Sequence, residues 1–146
     1  MIDKRHIGME LPKHSVDVEK GQLRFFAKAT GQDDPIYIDD QAAKAAGYRD
    51  LPAPPTFLFC LDMDVPDPFH LLKTLEVDLG KVLHGEQSFT YHKDVCAGDT
   101  VTFQTKVVDI FDKKGGELEF IVQNTTVTNQ NDDHVADLRG VIVVRH

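Results

Sequence analysis

The side chains able to move protons gather in one irregular stretch, residues 25–59, which reads FFAKATGQDDPIYIDDQAAKAAGYRDLPAPPTFLF. Gln32, Asp33, Asp34 and Tyr37 surround Pro35, and Thr56 and Phe57 follow two prolines. A carboxylate such as Asp33 can take a proton from water, and a tyrosine hydroxyl can line a pocket beside a reacting group. Pro55 has no N–H, so a helix starting at Thr56 offers the amides of Thr56 and Phe57 to a substrate oxygen. Downstream, His84-Gly85-Glu86 opens a strand. Side chains two apart on a strand share a face, so His84 and Glu86 form a candidate proton-transfer pair. Plainer roles compete. Asp33-Asp34-Pro35 suits a turn, Thr56 suits a helix N-cap, and Asp99, after Ala97-Gly98, reads as a turn residue. His92 and His134 read as surface residues.

These residues need elements to position them. Leu23, Phe26, Ala27 and Thr30 have helical spacing, which predicts a helix from 17–19 to 30 with Gly31 as its stop. Residues 39–46 form a second helix, acidic at its start and closed by Gly47. The apolar run 56–61 is read as a third. Pro66 and Pro68 make 63–73 a loop, and 74–79 allows a short strand. Alternating residues then predict strands at 82–91, 100–111, 117–128 and 134–146, separated by turns at 97–99, 112–116 and 129–133. Residues 1–14 are an arm, with 7–11 packing on the body, and 15–18 is a short strand or helix entry. Helices first and a long antiparallel meander second give an α+β fold. Strands of this length twist and can curl around one apolar helix, for which 56–61 is the candidate.

Length and composition narrow the function. The 146 residues suit one domain, 1–146, with 41% hydrophobic and 27% charged residues. A net charge of −8 argues against nucleic acid or an anionic membrane as partner. No apolar run approaches the ~20 residues of a membrane span, and MIDKRHIGMELPKH lacks the apolar core of a signal peptide. Cys60 and Cys96 fit a reducing cytoplasm without a disulfide. No Cys-x-x-Cys or His-x-x-x-His pair suggests a metal, so neither metal nor cofactor is expected.

Five motifs in order carry a resemblance. They are Phe26-Ala27-Lys28-Ala29-Thr30-Gly31, Asp34-Pro35-Ile36-Tyr37-Ile38-Asp39, Ala53-Pro54-Pro55-Thr56-Phe57, Leu83-His84-Gly85-Glu86-Gln87 and Ala97-Gly98-Asp99-Thr100. Together the set resembles the MaoC-like hydratase and dehydratase family. It is most similar to the N-terminal MaoC dehydratase branch, which includes the mycobacterial (3R)-hydroxyacyl-ACP dehydratase subunits. The resemblance implies a hot-dog fold, a CoA or acyl-carrier thioester as ligand, and a dimer of hot dogs. It also places the oxyanion-binding amide at the start of the 56–61 helix.

Active family members carry an Asp two residues before the Asn of an Asn-Pro pair and a His two after the Pro. Here Gln32 and Tyr37 hold those positions, and Asp34 replaces the Asn. A glutamine amide is no general base, and a tyrosine with a reference pKa near ~10 is a poor one. A one-residue shift would bring Asp33 into the dyad. Three functions follow from the resemblance. The first is a hydratase or dehydratase of acyl thioesters, using His84, Glu86 and Tyr37 or a partner's dyad. The second is a non-catalytic acyl-binding subunit of a heteromeric dehydratase. The third is a hot-dog thioesterase with Asp33 or Glu86 activating water. His84 and Tyr37 are the catalytic candidates, and Gln32, Asp33, Asp34, Thr56, Phe57, Gly85 and Glu86 the binding set. The expected assembly joins two sheets edge to edge, as a homodimer or with a MaoC-like catalytic subunit.

Overall fold

In a computed structural model describing residues 1–146, the second half of the chain and one short N-terminal strand form a single antiparallel sheet. Its strands are β1 (His14–Asp17), β2 (Val82–Tyr91), β3 (Thr100–Lys113), β4 (Leu118–Thr128) and β5 (His134–Arg145), in the order β1-β3-β4-β5-β2. The alternation seen in the sequence turns Val101, Phe103, Thr105 and Val107 inward from β3. Only β3, β4 and β5 form the expected meander. β2 pairs with β5 rather than β3, so it closes one edge of the sheet while β1 closes the other. Residues 8–11 extend that second edge: Gly8 N–H donates to Val107 O, and Leu11 N–H to Thr105 O.

Four helices pack on the concave face. α1 (Lys20–Ala29) buries Leu23 and Ala27, one turn apart on a single face. Gly31, at φ +70°, ends it, and the Gln32 N–H returns to Ala27 O at 2.8 Å. α2 (Asp40–Ala45) is capped by Asp39, which accepts from Gln41 N–H. α3 (Phe57–Asp62) buries Phe57, Leu58 and Leu61 and is the helix around which the sheet curls. This is the hot-dog arrangement that the motifs imply. α4 (His70–Thr74) was not expected. It falls where the prolines suggested loop and extends toward the predicted strand at 74–79. Leu71, Leu72 and Leu75 decide the matter, because their helical spacing buries all three against the sheet. Pro66 and Pro68 confine the loop to the stretch before α4.

The core is divided. One cluster surrounds α3 and includes Leu23, Leu58, Leu61, Phe103 and Val127. The other lies under α4 and includes Leu71, Leu72, Val107, Ile121 and Val144. Between them the concave face is polar: Thr105 and Thr125 share a buried hydroxyl–hydroxyl bond at 2.7 Å.

Asp99 does follow a turn, but it is far more than a turn residue. It is 2% exposed. Its Oδ1 accepts from Arg49 Nη1 at 2.8 Å and Gln130 Nε2 at 3.0 Å. Its Oδ2 accepts from Arg49 Nη2 at 2.8 Å and Cys96 N–H at 2.9 Å. Burial pushes this carboxyl's pKa up, but the hydrogen bonds from Arg49, Cys96 and Gln130 outweigh it and hold the pKa below the usual carboxylate range. The fork–fork geometry matches a guanidinium to a carboxylate. Asp99→Ala would leave the buried Cys96 N–H and the Gln130 amide without their acceptor, while the exposed Arg49 guanidinium is rehydrated, and should cost about 1–3 kcal/mol. Chemical denaturation at pH 7 checks this. Because the folded pKa is lowered, the pair's contribution is present above the unfolded pKa and lost as pH falls through the folded one. The difference between wild type and variant should therefore shrink only in acid.

Candidate functional site

The polar turn before α2 is built by capping. Asp34 accepts from Ile36 N–H at 3.1 Å and starts a 3-10 turn, Pro35–Tyr37, with Pro35 in its first position. Asp33 is exposed, and Gln32 closes the end of α1 through its backbone. Tyr37 is half-buried in a pocket of about 220 Å³, lined with Tyr48, Pro54, Pro55, Leu58 and Tyr91. Burial, then the neighbouring Tyr48, Asp34 and Tyr91, raise the pKa of its phenol. That moves Tyr37 further from base chemistry near neutrality.

Thr56 begins α3, but its side chain caps nothing. Its φ of 74° is left-handed, which is rare for a β-branched residue. The two amides expected to face a substrate oxygen are already bonded: Thr56 N–H donates to Tyr91 Oη at 2.9 Å, and Phe57 N–H to Pro54 O at 3.1 Å. The expectation of free donors at this helix start is therefore corrected. Phe57 itself points into the core, where its ring meets Phe26 at 4.8 Å.

His84 and Glu86 do not form the expected pair. His84 is opposite Ile142 and Glu86 opposite Val141, with Gly85 the extra residue of a bulge. Consecutive partners on β5 face opposite ways, so the bulge puts the two side chains on opposite faces. His84 turns to the helix side and meets the Phe59 ring edge-on at 5.7 Å. Glu86 takes the outer side and pairs with Arg139 at 3.1 Å. A Cβ on Gly85 would sit 2.7 Å from Val143 Cγ2 and 3.0 Å from Val141 O, so the bulge requires glycine. His84 lines a groove of about 470 Å³ along the β2 edge with Phe26, Thr56, Phe59, Gln87 and Phe89, and Gly85 and Glu86 border the same groove. Tyr37 is absent from that groove, so the two catalytic candidates occupy separate depressions.

Two constellations were invisible to sequence spacing. His92 and His134 are on the surface, but both rings converge on Asp137. The Nε2 atoms approach Oδ2 at 2.7 Å and Oδ1 at 2.8 Å. These three residues have the donor set of a transition-metal ion. Two intervening strands separate His92 from His134 in the chain. The second constellation joins β1 to α3: His14 stacks on Phe103 at 5.1 Å, and its Nε2 lies 3.3 Å from Asp62 Oδ1. Burial raises the Asp62 carboxyl to about 6, opposed in part by His14.

A model of the FAS1-like dehydratase domain region matches residues 5–138. A UPF0336 protein of Saccharopolyspora erythraea is 33% identical over 145 residues, covering 99% of this chain and 92% of the relative. One from Thermobifida fusca is 34% identical over 151 residues, covering 99% and 94%. Among solved structures, the C-terminally truncated HadBC (3R-hydroxyacyl-ACP dehydratase) complex of Mycobacterium tuberculosis aligns with a TM-score of 0.79 and 26% identity, over 94% of this chain and 96% of that one. The ChsH1–ChsH2 complex of the same organism gives 0.76 and 25%, over 94% and 89%.

The Asp62 carboxyl yields a stability prediction. Its folded pKa lies above its unfolded one, so the folded state is penalised as pH rises from about 4 through about 6. A shift of this size is worth on the order of 3 kcal/mol. Asp62→Asn should raise the melting temperature at pH 8 and leave it nearly unchanged at pH 4, measured by calorimetry. A gain of equal size at both pH values would contradict the burial argument.

Proposed function

The chain belongs to the FAS1-like dehydratase domain family, and from that premise we propose that it is the acyl-thioester-binding subunit of a heteromeric hydratase/dehydratase and supplies no complete acid–base dyad. Its fold is the hot-dog fold of MaoC-like dehydratases. The observation that carries the proposal is the turn at Gln32 to Tyr37. Addition of water across an enoyl thioester needs one group to take a proton from water and another to deliver one to the α-carbon. Gln32 cannot ionise, Asp34 is spent on a cap, and Tyr37 has its pKa raised. His84 lies in a different depression.

The ligand reading is supported by an apolar groove with a few polar groups, Thr56, His84 and Gln87, which is what ligand sites usually offer. The partner reading is supported by β2. Its outer edge has no neighbouring strand, most of its residues are exposed, and Leu83 and Tyr91 stand on it as exposed apolar groups. The HadBC and ChsH1–ChsH2 neighbours are two-subunit complexes, which favours a heteromeric partner over a second copy of this chain. No helix is long and apolar enough to cross a membrane.

The test is hydration of crotonyl-CoA, followed by loss of enoyl absorbance. The isolated chain should turn over slowly or not at all. Gln32→Asp with Tyr37→His should raise its rate at least about tenfold, a bar set below the usual range for acid–base groups. Brisk turnover by the unmodified chain that disappears in His84→Ala would replace this reading with an enzyme built on His84. Light scattering supplies the second arm: with a MaoC-like partner carrying an intact Asp and His, the chain should form a one-to-one complex. A monomer in that mixture would remove the partner reading.

A further inference from the structure

The loop between α3 and α4 encloses a cavity of about 360 Å³ that shares no lining residue with the Tyr37 pocket or the β2-edge groove. Its existence follows from the sequence. Pro66 and Pro68 keep the chain after α3 from continuing as helix, so it bows outward before α4 begins. The space left behind opens on the seam between the two apolar clusters, where the sheet presents Thr105 and Gln123.

We propose that this cavity is a ligand site that takes the hydroxyl-bearing end of a short aliphatic molecule, held between Asp62 and His14. Three observations carry it. First, His14 Nε2 is shielded from solvent and has no aligned hydrogen-bond partner. Asp62 Oδ1 is near, at 3.3 Å, but is not positioned as its acceptor. A buried polar atom without a partner is costly, and a group bridging the two would remove that cost. A hydroxyl does so, donating to Asp62 and accepting from the protonated Nε2, or the reverse with the other forms. Second, the pair is fixed in place: His14 is clamped on Phe103 by stacking and paired in register with it on the sheet, and Asp62 ends a helix whose buried face is packed in the core. Third, Leu11, Met63, Val65 and Leu71 give the cavity an apolar stretch of wall beside its polar residues, which suits a short hydrocarbon stem. The other ionisable side chains here are Lys13, Asp67 and His70. Asp67 is already neutralised by Lys73 at 2.7 Å, so Asp62 is the carboxylate left to receive a ligand hydrogen.

The test uses the whole chain, with 1-butanol as probe and 1-chlorobutane as its near-isostere lacking the hydroxyl. Both are titrated at fixed pH while NMR follows the His14 ring and the Gln123 side-chain amide. 1-Butanol should shift both signals saturably, and 1-chlorobutane should bind at least about tenfold more weakly, because a site built for a hydroxyl rejects analogues without it. His14→Phe, which keeps the stack on Phe103, and Asp62→Leu should each weaken 1-butanol by a similar factor. Equal affinity for the two probes overturns the proposal. So does a His14 signal that does not respond, which would mean that the cavity holds solvent alone. The comparison on the wild-type chain decides the matter even if a variant fails to fold.

Discussion

The architecture depends on one carboxylate. Asp99 sits where four segments distant in sequence meet. Arg49 comes from the linker before α3, Cys96 from the loop after β2, Gln130 from the β4–β5 turn, and Val18 donates its amide to the Asp99 carbonyl from the end of β1. The same corner continues into backbone pairing, with Pro52 bridged to Cys96 and Ala97 N–H donating to Leu51 O. The proline segment that launches α3 is thus fastened to the sheet by polar contacts made off the concave face. Apolar packing around Leu58 and Leu61 gives the helix its burial, and the Asp99 corner gives it its position. A buried charge can do this because it tolerates few alternative arrangements of its donors.

That fixation has an effect on chemistry. With Thr56 held in a left-handed conformation and its amide on Tyr91, the start of α3 is already satisfied from within the protein. Residues in sparsely populated backbone regions persist only where their surroundings over-determine them. Here the surroundings are the paired prolines and the Tyr91 hydroxyl. The start of α3 is therefore better built for shape than for donating hydrogen bonds.

Most of the sheet was legible in the chain. The alternation of Val101, Phe103, Thr105 and Val107 leaves little choice of strand or face in β3, but in β4 the face expected from Leu118, Phe120 and Val122 is corrected: Ile121, Thr125 and Val127 turn to the core, and Phe120 stacks instead on Phe111. The capped starts of α2 and of the 3-10 turn were equally plain, because Asp39 and Asp34 act within two residues of themselves. What could not be read depends on contacts between distant positions. The bulge at Gly85 is set by Val141 and Val143, more than fifty residues away, and without it His84 and Glu86 would share a face as their spacing suggests. α4 is short and flanked by prolines, and its leucines reveal their period only once the sheet beneath them exists. His14 and Asp62 carry no mutual signal at all, since one belongs to a strand and the other to a helix. The family motifs located the region of interest, but local chemistry could not say which amides in it were free.

The position of β2 carries an implication for valence. Each flank of a strand can pair with only one other strand, and β2 has given one flank to β5. What remains is a single row of donors and acceptors, so a second strand arriving there excludes a third. Self-association and association with an unlike subunit, if both use this edge, would therefore compete for one place. The amount of each species in a cell would be governed by relative supply as much as by contact quality, as for two suitors and one seat.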